Sequence, residues 1–161
     1  MPTHDRRAQL PVTLTPLLAD DAIHEVVVVD DGSSDGTLDY LTDLAHRTPR
    51  LRVVRGDGRG KGRAEQLGLA VTTGEVVLLL DDDVVAEPGL GAGHLRHHER
   101  RPGLVVMGYM PLWDLPDGGG FGPSRVYRQD YERVCAAAER SPDTILHDLW
   151  GGNVSLRRAD A

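Results

Sequence analysis

The sequence predicts an α/β fold, a mostly parallel sheet flanked by helices, on three observations. Short β-branched or leucine-rich runs recur without polar alternation, the pattern of strands buried on both faces. Amphipathic stretches with apolar residues at helical spacing separate them. Aspartates, 18 against 7 glutamates, cluster where two of the apolar runs end. With 161 residues, 40% of them hydrophobic, the chain suits one domain with its own core.

Segment 5–19 reads as helical, with Pro11 and Pro16 making its first half irregular. Residues 24–30 form the first clear strand. In 35–47, Leu38, Leu41 and Ala45 fall at i, i+3 and i+7 and predict a helix. Leu51–Arg55 is the next strand, and in 62–72 Ala64, Leu67 and Val71 repeat the helical spacing. A strand follows over 75–80. Segment 88–101 is a weaker helix because its glycines are costly, and 104–107 is again a strand. The order is βαβαβαβ to about residue 108. Residues 111–123, with Gly118, Gly119 and Gly120, read as loop. A polar helix from about 124 to 140 places Val126, Tyr127, Tyr131, Val134 and Cys135 on one side, and 149–158 reads as extended.

Charge and cysteine content exclude several functions. Eighteen Lys+Arg against 25 Asp+Glu give a net charge of −7, which argues against a nucleic-acid partner and against polybasic docking on a membrane. No run approaches the ~18 apolar residues of a transmembrane helix, and no signal peptide opens the chain. The single Cys135 has no disulfide or thiolate-zinc partner. A soluble, cytoplasmic domain is expected. Lys61 is the single lysine among 17 arginines, a skew attributed to coding composition.

In an open parallel sheet, ligands bind beyond the carboxyl ends of the strands. Asp30-Asp31 ends one strand and Asp81-Asp82-Asp83 another. One aspartate after a strand is ordinarily a helix cap or turn residue, and Asp30 and Asp35 alone read that way. Three adjacent carboxylates exceed what a cap needs, and their repulsion favours a cation. All-oxygen ligands select Mg2+ or Mn2+, completed by substrate phosphates. Gly56-Asp-Gly-Arg-Gly-Lys-Gly62 fits neither a P-loop nor a dinucleotide fingerprint. It reads either as a plain flexible loop or as one presenting Arg59 and Lys61 to phosphate. His94, His97 and His98 share one helix without a third ligand type, so a solvated face is expected there.

Taken in order, Glu25-Val-Val-Val-Val-Asp-Asp-Gly-Ser-Ser-Asp-Gly-Thr37, Gly60-Lys-Gly62, Gly74-Glu-Val-Val-Leu-Leu-Leu-Asp-Asp-Asp83 and Gly151-Gly-Asn-Val-Ser-Leu-Arg-Arg158 resemble glycosyltransferase family 2. The resemblance implies a GT-A-like, Rossmann-like fold and transfer of a sugar from a nucleotide-diphosphate sugar, metal-assisted and inverting. It implies a donor-binding α/β region over 1–110 and the start of an acceptor-side region over 111–161. Asp31 matches the position that hydrogen-bonds the base, and an ionised carboxylate suits the imide N–H of uracil, so a UDP-sugar is the default donor. Thr3 and His4 match a loop lining the base pocket, with His4 where the family has Tyr. Lys61 matches the basic residue of its segment. Asp81 and Asp82 fall near the ribose or donor sugar, Asp83 is the metal ligand of an Asp-x-Asp motif, and Gly151, Gly152 and Asn153 lie on the acceptor side.

Measured against that family, Met1 stands where a first hydrophobic strand should finish, and the catalytic base is expected beyond Ala161. Asp114, Asp117 and Asp148 are the carboxylates to consider in its place. The edges such a loss exposes make a homo-oligomer plausible. The alternative function is a catalytically incomplete GT-A-like domain that binds nucleotide or a partner without turnover. A response-regulator receiver domain, suggested by the acidic strand ends, needs a Lys on a later strand, and none follows Lys61.

Overall fold

The computed structural model describes residues 1–112 and 122–161, the side chains of residues 122–125 and 146 excepted. Its elements are β1 (Pro2–Thr3), α1 (Leu10–Ala19), β2 (Val26–Asp30), α2 (Thr37–Arg47), β3 (Leu51–Arg55), α3 (Lys61–Val71), β4 (Val76–Leu80), α4 (Leu90–Arg100), β5 (Val105–Met107), α5 (Gly122–Arg140) and β6 (Asn153–Arg157). Single 3-10 turns occupy Pro142–Leu146 and Arg158–Asp160. The predicted loop residues 113–121, with Gly118 to Gly120, Asp114 and Asp117, lie outside the described residues.

The strands form two three-stranded sheets. The first, in the order β1-β2-β3, is parallel throughout, with Val28 opposite Val53 and Pro2 opposite Val29. In the second, β6 lies between β4 and β5 and runs antiparallel to both, pairing Leu78 and Val106 with Ser155. β1 is two residues long. Below it, β2 and β4 both line a groove of about 410 Å3 that includes Val27, Leu78 and Leu80, and the Met1 amino group donates to the Val27 carbonyl.

β2 is buried along its whole length, as its uninterrupted apolar run predicts. Val26 and Val28 pack with Leu10, Leu14, Leu17, Leu41, Leu51 and Leu80. Val27 and Val29 face Ala64, Leu67 and Val71 of α3. Gly68 allows this approach, because a β-carbon there would stand 3.2 Å from Val29 Cγ2. In α1, Pro11 sits in the first turn, where its missing N–H costs nothing, so the irregular part is confined to the residues before Leu10. The weakly predicted α4 gains support from afar: the Asp20 carboxylate accepts the Gly91 N–H at 3.0 Å.

One face differs from its pattern. Tyr131 and Val134 of α5 are buried, but Val126 and Tyr127 are exposed, because that end of the helix borders an open cleft. Among the described residues no helix is long and apolar enough to cross a membrane.

Leu41 is fully buried at the centre of the larger core. Leu41→Ala is expected to cost about 2–5 kcal/mol, the range for a truncated core leucine, read as a lower urea midpoint with an unchanged slope.

Candidate functional site

The carboxyl ends of β1 and β2 open into two loops that bond one another. The Asp5 carboxylate accepts the Ser34 N–H at 2.7 Å, the Asp5 N–H donates to Ser33 Oγ, and Asp35 accepts the N–H groups of Arg7 and Thr37. Asp35 is therefore the turn residue its position suggested. Asp5 takes a φ of 52° to make these bonds.

Asp31, at the end of β2, is buried, and its carboxylate reaches into the glycine-rich loop. Oδ1 accepts the Gly58 N–H at 2.9 Å and Oδ2 the Gly60 N–H at 2.7 Å. Gly58 and Gly60 have φ of 71° and 90°, and a β-carbon on Gly56 would stand 2.5 Å from Asp31 Oδ1. These bonds give the loop a defined course, which opens α3 with Lys61. Arg59 is exposed. His4 Nδ1 lies 3.0 Å from the Asp31 carbonyl oxygen, so Thr3, His4 and Asp31 stand together.

The triplet after β4 divides three ways. Asp81 Oδ1 accepts from Lys61 Nζ at 2.5 Å. Burial lowers the Lys61 pKa, but the hydrogen bond and charge of Asp81 outweigh it and leave the ammonium more firmly protonated than usual. Asp82 Oδ2 accepts from Thr3 Oγ1 at 2.7 Å, and Asp82 Oδ1 lies 3.6 Å from Arg6 Nε. Asp83 is exposed, lines the cleft and makes no hydrogen bond or ion pair among the described residues. No group of three His, Cys, Asp or Glu among the described residues could hold a metal by itself. A lone exposed carboxylate still fits Mg2+ or Mn2+ arriving with a diphosphate, since Mg2+ is commonly held by one or two carboxylates plus substrate oxygens.

β6 brings the last predicted residues to the same cleft. The Asp81 N–H donates to the Gly152 carbonyl at 3.0 Å, and a β-carbon on Gly152 would stand 3.1 Å from Asp81 Oδ2. Gly151 is exposed, while Asn153 is buried with its side chain flat against Gly108. Asp148 is exposed and does not line the cleft.

His97 of α4 is exposed as expected, but His94 and His98 overturn the expected solvated face. His94 and His98 are buried, 6% and 1% exposed, and meet Ser155 of β6, which is fully buried. His94 Nδ1 and His98 Nε2 lie 2.7 and 2.8 Å from Ser155 Oγ, and His94 Nε2 lies 2.9 Å from Asn153 Oδ1. The partners assign the tautomers: His98 Nε2–H donates to Ser155, Ser155 to His94 Nδ1, and His94 Nε2–H to Asn153. His98 Nδ1 is buried without a partner. Burial, first, and neighbouring positive groups lower both pKa values, for His94 against the pull of Asn153. The spacing 94 and 98 shows one face, but nothing local shows that Ser155 and Asn153 lie opposite it.

The family model for "Glycosyl transferase family 2" matches residues 1–161. The chain belongs to that family. Among curated relatives, the uncharacterized glycosyltransferase YfnE of Bacillus subtilis is 31% identical over 109 residues, covering 68% of this chain and 25% of YfnE. The uncharacterized glycosyltransferase alr2836 of Nostoc sp. is 42% identical over 65 residues, 40% of this chain and 20% of its own length. The family 2 chain thus spans about a quarter or less of these relatives. Its fold matches the mannosyltransferase PcManGT of Pyrobaculum calidifontis, solved with GDP-Man and Mn2+, at TM-score 0.68 and 21% identity over 98% of this chain and 43% of that one. It also matches S. aureus TarS in complex with UDP-GlcNAc, at TM-score 0.54 and 26% identity over 62% of this chain and 30% of TarS. These are GT-A-type transferases, so the GT-A-like expectation holds.

The buried histidine pair carries a pH dependence. Their folded pKa values lie below the ordinary 6.5, so the unfolded chain takes up protons first. The contribution is complete above about pH 6.5 and is lost as the pH falls below it toward the folded values. Urea unfolding at pH 7.5 and 5.5 is expected to show a lower midpoint at 5.5, with His98→Gln reducing the difference.

Proposed function

We propose that this family 2 chain is the donor-binding part of a nucleotide-sugar-dependent glycosyltransferase whose reaction is a metal-assisted, inverting displacement. The observation that carries the reading is how the β4 triplet is shared. Lys61 holds Asp81, Thr3 and Arg6 hold Asp82, and Asp83 faces the cleft with no hydrogen bond or ion pair among the described residues.

Thr3, His4 and Asp31 form the base end of the donor site. Asp31 already accepts two backbone N–H groups, and its remaining lone pairs are suited to an imide N–H, which makes a UDP-sugar the first choice. That TarS at 26% identity binds UDP-GlcNAc supports the same base. Lys61, Asp81 and Asp82 flank the diphosphate and donor sugar, and Asp83 is the ligand for Mn2+ or Mg2+. When bound, such a cation supplies Lewis-acid stabilisation of the leaving diphosphate. Lys61 adds a fixed positive charge on the same side. Gly151, Gly152 and Asn153 bound the acceptor side, where regions 1–110 and 111–161 meet.

In this reaction an acceptor hydroxyl oxygen bonds the anomeric carbon from the face opposite the diphosphate. The bond to the diphosphate breaks with its electron pair, and the hydroxyl proton passes to a carboxylate base. Asp148, outside the cleft, does not meet the geometry of that base.

Isothermal titration of UDP, GDP and dTDP, with and without Mn2+, tests the reading. UDP is expected to bind with Mn2+-dependent affinity, and Asp83→Ala to remove that dependence, about tenfold or more, as for a charged contact. Nucleotide affinity that ignores both Mn2+ and Asp83→Ala would sink it.

A further inference from the structure

The cleft continues past Asp83 into an aromatic wall that donor binding does not use. Its volume is about 2420 Å3, more than twice the ~1,000 Å3 at the upper end for a single small-molecule pocket, so it has room for a second ligand. Tyr131 of α5 is the wall's buried centre, 1% exposed, and its hydroxyl is engaged by the Met110 N–H at 2.6 Å. Tyr109 and Tyr127 stack on it, with centroids 5.9 and 6.1 Å away and planes inclined by 21° and 9°. Trp150 meets Tyr127 edge-on at 4.9 Å. The outer rings stay open, Tyr109 58% and Tyr127 37% exposed, and an open apolar patch beside a functional site marks an interaction surface.

The rim of this wall is polar and carries both signs of charge, with Arg96 and Arg128 lining the cleft and Glu132 beside Tyr109. Tyr109 Oη donates to Glu132 Oε1 at 2.6 Å, which fixes its ring, and Gln129 lines the cleft on the same helix. Tyr127 lines the same cleft as Asp81 and Asp83.

We propose that Tyr109 and Tyr127 form the acceptor subsite and that it takes a pyranose ring, an inference that rests on the glycosyltransferase reading of the Asp83 end. One face of a pyranose carries only C–H groups, whose slight positive charge meets the negative face of an aromatic ring. Its hydroxyls leave sideways, toward Glu132 and Gln129. An alkyl chain would leave the polar rim unsatisfied where sugar hydroxyls pair with it.

The test is saturation-transfer NMR and tryptophan fluorescence on the full chain with cellobiose, maltose, chitobiose and mannobiose. Mn2+-UDP titration runs in parallel on each variant. At least one disaccharide is expected to bind saturably. Tyr109→Ala and Tyr127→Ala weaken it roughly fivefold each, the scale of one lost ring contact, and Tyr127→Phe retains it. None of the three changes affinity for Mn2+-UDP. If UDP binds but no disaccharide does, or if both alanine variants bind sugar unchanged, the subsite is overturned while the donor site stands. Binding of dodecylphosphocholine micelles in place of the disaccharides overturns it too, in favour of a lipid surface. Disaccharide binding lost in the alanine variants without any UDP binding upholds the subsite and sinks the donor reading instead.

Discussion

The Asp31 carboxylate is the constraint on which the rest of the site depends. It leaves the end of a fully buried strand and accepts one backbone N–H from each side of the turn at Gly58 and Gly60. Charge-assisted bonds of this kind are about twice as strong as neutral ones. They fold the glycine loop into the one course that starts α3 at Lys61. Lys61 in turn spans from the first sheet's helix to Asp81 at the end of the second sheet's β4. Thr3 makes a parallel span to Asp82. The two sheets are thus tied together across the functional cleft by polar side chains.

These ties solve a charge problem. Three consecutive carboxylates at one strand end repel one another when left in the same environment. Here one faces an ammonium, one a hydroxyl and a guanidinium, and one solvent. A half-exposed pair such as Lys61–Asp81 adds little to stability, typically under ~1 kcal/mol. Its effect lies in orientation: Asp81 and Asp82 are held, and Asp83 is exposed to the cleft.

Much of the fold was legible because its signals are local. The valines of β2 and the leucines of β4 announce strands covered on both faces, and Ala64, Leu67 and Val71 face β2 as their spacing requires. What the sequence hid depends on partners far along the chain. Nothing near 149–158 says that β6 inserts antiparallel between β4 and β5. His94 and His98 read as a wet face because polar residues at helical spacing usually are; they are dry because Ser155 and Asn153, about sixty positions away, bond three of their four ring nitrogens. The contacts of His4 with Asp31 and of Lys61 with Asp81 join segments that the sequence separates, and the grip of Asp31 on the glycine loop needed three dimensions. So did the stacking of Tyr109 and Tyr127 on Tyr131, since Tyr109 comes from a different segment.

Because the chain has 17 arginines and one lysine, the Lys61–Asp81 contact is also the protein's own reporter. Apart from the α-amino group, Lys61 carries the molecule's only side-chain amine, and its raised pKa keeps that amine protonated and a poor nucleophile. An amine-selective acylating reagent therefore modifies one side chain, at a rate set by how tightly Asp81 holds it. Any ligand that draws Asp81 away or covers Lys61 changes that rate in opposite senses, so acylation of the Lys61-bearing peptide, followed separately from that of the Met1 amino group, distinguishes a loosened cleft from an occupied one.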